Sequence, residues 1–323
     1  MSGALYIDAH GTKVGHCAGR ITLKNLADEQ TTCPIEQIDR VIVCGHAHFS
    51  HDAIHALLRH AIPTVFCGGH GGYQGTLIGR QSHQVRRRMA QMDAARDPAR
   101  SLVIARALAR AKMRGQRRLL KHWQAPGGHE IAHEILSARG AQTPAALRGH
   151  EGAAARAFFG GLRHHLAETA FVFERRLHHP PPDPVNAALS LAYTLLLTEV
   201  QVGVAAAGMD PCVGFFHAIE DGRAALLMDL VEPLRPIADR FVARLLRNVV
   251  SPQDFETHET GCRLRDGRRG VFYRAWEAML AEKLTWRGNT QSYRRLIHQQ
   301  PMVLATHLES PSAALHFWHL DAH

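Results

Sequence analysis

The sequence predicts an α+β protein, with a small β-rich N-terminal domain over residues 1–80 and a larger all-α domain over residues 81–323. Three observations carry this. Up to about residue 79, short apolar runs alternate with Gly, Asn, Asp and Pro, the pattern of strands joined by turns. Near residue 80 the texture changes to cations interleaved with Ala, Leu, Met and Val at helical spacing. From about residue 131 onward the chain is helical in pattern, and 323 residues suffice for about two domains.

In chain order, residues 4–9, 13–16, 20–23 and 41–44 read as strands. A helix is expected over 52–59, where Ala53, Ile54, Leu57 and Leu58 recur at helical spacing. Residues 63–67 read as another strand, 68–72 as a tight glycine turn and 73–77 as the strand after it. A one-sided basic run follows, from Arg80 through Arg86, Arg87 and Arg88 to Arg117, Arg118 and Lys121, opposed only by Asp93 and Asp97. It predicts one or two basic helices, which form either a solvated face or a track for phosphates; the run's length and sign favour nucleic acid. Residues 124–128 break the pattern, and 187–208 and 224–248 are the strongest helices beyond. Between helices, the proline-rich 180–184 segment is a rigid, extended connector.

Apolar residues make up 46% and charged residues 21%, as in ordinary globular proteins, but the net charge of +9 favours an anionic partner. Nucleic acid comes first and an acidic membrane surface second. With 24 histidines, a single histidine says little. Six scattered cysteines without a Cys-x-x-Cys pair argue against a zinc ribbon or disulfide scaffold and suit a reducing, cytoplasmic location. The N-terminus lacks the pattern of a signal peptide. The apolar segment 187–209 is interrupted by Glu199 and Gln201, so it reads as a buried helix and no membrane partner is expected.

The stretch 213–236 holds the densest chemistry. An apolar run delivers His217 to a turn at Asp221-Gly222, and the chain re-enters apolar sequence carrying Asp229, Glu232 and Arg235 at three-residue intervals. An imidazole and carboxylates brought together in apolar surroundings suit a divalent metal. The alternative is a helix start whose acids face the dipole and whose histidine only packs. Glu151 opens an Ala-rich helix, where the dipole alone would favour it. Arg175 and Arg176 precede the proline connector and Asn186 lies just inside the next helix, which Asp183 could cap with Pro184 in its first turn. A competing site is His46-x-His48-x-x-His51 after a strand, which resembles the opening zinc motif of metallo-β-lactamase-type hydrolases. Ser50 stands where that family has aspartate, and the long helical remainder does not match its second half.

Four motifs in order carry a stronger resemblance: Leu-Arg-Gly-x-Glu-Gly-x-x-Ala-Arg from Leu147, Arg-Arg-x-x-x-Pro-Pro-x-Asp-Pro-Val-Asn-Ala from Arg175, Gly-Met-Asp-Pro-x-x-Gly-Phe-Phe-His ending at His217, and Asp-Leu-Val-Glu-Pro-Leu-Arg-Pro from Asp229. In this order and spacing the chain resembles the CRISPR-associated integrase and endonuclease of the Cas-one family, from the β-rich domain to at least Asp239. The resemblance implies metal ligands and catalytic residues at Glu151, His217 and Glu232, with Asp229 as an acidic neighbour. Many members carry Asp at the third position, and Glu is the other accepted form. Phe216 stands where Leu is commoner, and Pro233 follows the third ligand. Two carboxylates and one imidazole suit Mg²⁺ or Mn²⁺. With water as nucleophile the outcome is strand cleavage; with a DNA 3′-hydroxyl it is transesterification, the insertion of short foreign DNA at a repeat array. Arg175, Arg176, Asn186, Arg235 and the basic helices would hold DNA. The family acts as homodimers, two of which flank a dimer of a small partner, the Cas-two protein. Two other readings are a zinc hydrolase built on His46, His48 and His51, and a non-enzymatic nucleic-acid-binding protein.

Overall fold

The computed structural model describes residues 3–68, 73–79, 84–177, 180–259 and 261–320. The expected glycine turn at 68–72 lies almost wholly outside these residues. The chain divides into two compact units, Met1–Ser82 and His83–His323.

In the first unit the strands are β1 (Gly3–Ile7), β2 (Thr12–Cys17), β3 (Arg20–Lys24), β4 (Gln30–Pro34), β5 (Ile38–Val43), β6 (Ala47–Phe49), β7 (Thr64–Cys67) and β8 (Tyr73–Leu77), with one helix, α1 (His51–Arg59). They form two four-stranded sheets, ordered β1-β5-β7-β8 and β4-β3-β2-β6. In the first, β5 runs parallel to β1 and to β7, while β8 closes the edge antiparallel. Ile7, Val14, Ile21, Val41, Val43 and Leu57 pack into one apolar core. The strands β4 and β6 escape sequence reading because Gln30–Pro34 is largely exposed and Ala47–Phe49 is short and histidine-bearing.

This geometry corrects the zinc reading. His48 lies in β6, opposite Lys13 of β2. His46 packs against His10 and His51 stacks on His55, with ring centroids 4.4 and 4.1 Å apart. Ser50 caps α1 by accepting a 3.1 Å bond from the Ala53 amide, so the third histidine begins a helix.

The second unit contains α2 (Val85–Arg96), α3 (Pro98–His122), α4 (Gly128–Gly140), α5 (Pro144–Leu166), α6 (Pro184–Ala207), α7 (Ala225–Val231), α8 (Arg235–Asn248), α9 (Asp266–Ala281) and α10 (Tyr293–Glu309). The helices α3, α5 and α6 share one start signal: a side-chain cap followed by proline. Asp97 accepts from the Ala99 amide at 2.9 Å, Thr143 from Ala146 at 3.1 Å and Asp183 from Asn186 at 2.8 Å. α6 ends at Gly208, whose φ of +67° closes the helix in a left-handed turn. This helix is long and apolar enough to cross a membrane, but 67% of its apolar window is buried within the protein.

The helical unit is not purely α. The hairpins β9 (Phe255–His258) with β10 (Gly261–Leu264), and β11 (Lys283–Trp286) with β12 (Asn289–Ser292), interrupt the region expected to be helical throughout. The second hairpin turns at Arg287-Gly288, both at positive φ, a two-residue turn matched to strand twist. The helix expected over 224–248 is divided. Pro233 and Pro236 each lack the donor for an i→i−4 bond, so the preceding amides, of Glu232 and Arg235, reach the carbonyls of Asp229 and Glu232 at i→i−3. The result is a tight 3₁₀ turn at Glu232–Leu234 between α7 and α8.

Candidate active site

Glu232 leaves that 3₁₀ turn and points into the second unit, where it is 3% exposed. An isolated carboxylate there would be costly, and two cations meet it. Arg235 Nη2 lies 3.0 Å from Glu232 Oε1, and Lys112 Nζ of α3 lies 2.5 Å from Oε2. Burial alone would push the Glu232 carboxyl up; Arg235 and Lys112 outweigh it and hold it at about 2. The same Lys112 ammonium pairs with Glu151 of α5. Burial lowers the proton affinity of Lys112, but Glu232 and Glu151 together raise it above the ordinary ammonium value. One ammonium therefore joins two carboxylates that lie on different elements.

The stretch 213–236 folds back on itself around Asp229, which is fully buried. Its Oδ2 accepts from the Phe215 and Phe216 amides at 2.5 and 2.9 Å, and its Oδ1 from the His217 amide at 2.8 Å. Gly214 makes this possible, since a Cβ there would stand 2.8 Å from Asp229 Oδ2. The His217 Nδ1 lies 2.7 Å from Oδ1. With Nδ1 on the carboxylate, Nε2 is the nitrogen left for a ligand. Asp229 thus orients the imidazole, and its oxygens are already spent.

Arg235 is itself held from behind. Its guanidinium lies over the Tyr193 ring, 4.7 Å from the centroid, and the Tyr193 hydroxyl donates to Asp239 Oδ1 at 2.5 Å. Burial pushes the Asp239 carboxyl up to about 7, against the Tyr193 bond and the Arg235 charge. For Arg235, burial works against the charged form, but Glu232 reverses this and raises its proton affinity.

The other residues expected to touch DNA are placed differently. Asn186 is fully buried and ties the start of α6 to the chain before it. Its Nδ2 donates to Asp183 Oδ2 at 2.7 Å and to the Arg175 carbonyl at 3.0 Å, while its Oδ1 accepts from the Leu177 amide at 2.9 Å. Arg176 donates to Asn186 Oδ1 at 2.9 Å and to Ser190 Oγ at 3.0 Å. Both act as structural ties, which corrects the expectation of direct contact for Asn186; Arg175 is exposed. Sequence reading overlooked Lys112, Tyr193 and Asp239 as site residues. Lys112 had a signal: it falls on the buried face of α3 with Leu108 and Leu119, where a cation survives only if paired.

The donor set fits a divalent cation. Glu232 Oε2 faces the same Lys112 ammonium that pairs with Glu151. The Lys112 ammonium stands as a cation between the two carboxylates, so Glu151, Glu232 and His217 do not form a closed ion group as they are placed. Hard oxygens and one imidazole are the chemistry that Mg²⁺ or Mn²⁺ takes.

The sequence profile of "CRISPR associated protein Cas1" matches residues 5–278. The chain belongs to the Cas1 family. A Cas1 endonuclease of Thermus thermophilus is 33% identical over 314 residues, covering 95% of this chain and 92% of its own. A Cas4 exonuclease–Cas1 endonuclease fusion of Rhodospirillum rubrum is 33% identical over 317 residues. That match covers 93% of this chain, which spans about half (55%) of the fusion's length. Among solved structures, a casposase bound to integration product has a TM-score of 0.90 at 21% identity, covering 100% of this chain and 95% of its own. A chain of a Cas6-RT-Cas1–Cas2 complex has a TM-score of 0.83 at 21% identity, covering 99% of this chain and 36% of that one. These two share the fold. The family is the one whose motifs the sequence resembles, and its Thermus thermophilus relative is a CRISPR-associated endonuclease.

Proposed function

We propose that the protein inserts short foreign DNA into a CRISPR repeat array by attack of a DNA 3′-hydroxyl on a phosphodiester bond, a step in antiviral defence, and cleaves strands when water is the nucleophile. The observation that carries this is the cation site: Glu151 and Glu232 share one ammonium, in the same unit as an imidazole fixed by Asp229. Glu151, Glu232 and His217 Nε2 would hold Mg²⁺ or Mn²⁺. When bound, such an ion acidifies the attacking hydroxyl and neutralises charge on the phosphoryl group. Asp229 keeps the imidazole in one tautomer and one orientation. Arg235, braced by Tyr193, holds one Glu232 oxygen in place, and Lys112 lies against the other, where a bound cation would replace it. Lys112 keeps Glu151 and Glu232 facing one another through a shared positive charge.

The DNA lies on cations of this unit, Arg175 among them. A homodimer joined with a Cas2 partner in the cytoplasm is the expected working form, supported by the Cas1–Cas2 assembly of the similar solved structure. Glu151→Ala, His217→Ala and Glu232→Ala should each reduce Mn²⁺-dependent strand transfer and cleavage more than about a hundredfold, with DNA affinity kept. Full activity in any of the three would remove that residue from the site.

A further inference from the structure

The cations of α3 divide between two faces. At 3.6 residues per turn, Arg114, Arg117, Arg118 and Lys121 point roughly 140–240° away from Lys112 around the helix. They look away from the active site, and they line a cavity of about 560 Å³ completed by the 125–129 turn. A volume of this size holds a small ligand.

The cavity is strongly and one-sidedly positive. Among the described residues, these four cations have no carboxylate partner. Glu130 is the only acid between residues 98 and 133. The Nε of Arg118 is buried without a hydrogen-bond partner. One turn back from Arg114, burial and then the charges of Arg114 and Arg139 lower the proton affinity of Arg110. Cations crowded on a concave surface repel one another and focus a positive potential that an anion would relieve.

The turn is built to stay in place. Gly127 has φ +101°, and a Cβ there would stand 2.7 Å from the Ala157 carbonyl, so the turn is pressed onto α5. Gly128 and His129, the first residues of α4, line the cavity, and no side chain caps that helix. Their amides add donors to the cationic wall.

We propose that this cavity is a phosphate-binding site separate from the metal site, taking more than one phosphate of a nucleic-acid strand or of a free nucleotide. It rests on the proposed function only in making DNA the first ligand to try. The test uses the full chain in EDTA, so that binding is read apart from metal chemistry. A labelled DNA duplex with a single-stranded tail reports strand binding by anisotropy, and inorganic tripolyphosphate reports free-nucleotide chemistry by calorimetry.

Arg117 and Lys121 are exposed, so Arg117→Glu/Lys121→Glu leaves the core intact, and Arg117→Gln/Lys121→Gln is the milder form. The Glu variant should lose about tenfold in affinity and reduce the slope of log Kd against log salt by about 2, with the Gln variant between it and wild type. Loss for DNA alone assigns the site to a strand, loss for tripolyphosphate alone assigns it to a free nucleotide, and either supports the proposal. Unchanged binding of both overturns it. So does an equal loss in Arg274→Glu/Arg295→Glu, which changes net charge by the same amount at exposed positions elsewhere. A wild-type protein that binds DNA yet transfers no strand would defeat the catalytic reading and leave this one standing.

Discussion

Asp229 accepts four hydrogen bonds, three from consecutive backbone amides and one from the His217 ring, so its charge is fully used inside the protein. Lys112 works differently, because it serves two carboxylates at once. Removing one partner of a buried ion pair leaves the others uncompensated, so Lys112→Met should cost about 3–5 kcal/mol in denaturant unfolding. Glu151→Gln in the same background should recover part of that, with a coupling of at least about 1 kcal/mol. Additive losses would show that the two do not share a charge network. The buried acids also set opposite pH dependences. Glu232 is lowered from 4.5 to about 2, so the stability it contributes is present above 4.5 and is lost as pH falls toward 2. Asp239 is raised from 3.8 to about 7, so the folded state binds its proton more tightly and stability is lost as pH rises from 3.8 through 7. Asp239→Asn keeps an acceptor for Tyr193 and should flatten the fall in melting temperature across that window. A slope equal to that of wild type would show that Asp239 does not titrate there.

At the scale of elements, the aim of Glu232 depends on Pro233 and Pro236. They force the 3₁₀ turn that separates α7 from α8, and Glu232 opens it. Pro233→Ala restores a backbone donor and permits a continuous helix, which would re-aim the carboxylate. The expected outcome is a loss of activity of about tenfold or more with a stability change within about 1 kcal/mol. Unchanged activity would mean that packing alone aims Glu232. The start of α6 shows how an element can use up residues that look functional. Asp183, Asn186 and Arg176 all look available in sequence, yet they bond to one another and to the backbone before a ligand could reach Asn186.

At the scale of the molecule, each unit has its own apolar interior, and the two should unfold separately. Leu57→Ala removes a side chain that is 1% exposed in the first unit. It should cost about 2–5 kcal/mol and lower only one of two calorimetric transitions. A single transition that shifts as a whole would show that the units unfold together.

The division into a β-rich part and a helical part was legible in the chain itself, because strand and helix periodicity are local. So were the caps at Asp183 and Pro184, and the acids and histidine of residues 213–236, which lie close along the backbone. The two later hairpins were not legible, since an Arg-Gly turn between short polar strands carries little local signal. Nor were the shared ammonium of Lys112 and the brace of Tyr193 and Asp239 under Arg235. Those contacts join side chains some forty or more positions apart, and only packing brings them within bonding distance. The sequence by itself determined which residues could do chemistry and the family to which they belong. The tertiary structure decided which of them meet: it spent Asn186 and Asp229 on holding the fold, and turned Glu151 and Glu232 toward one cation.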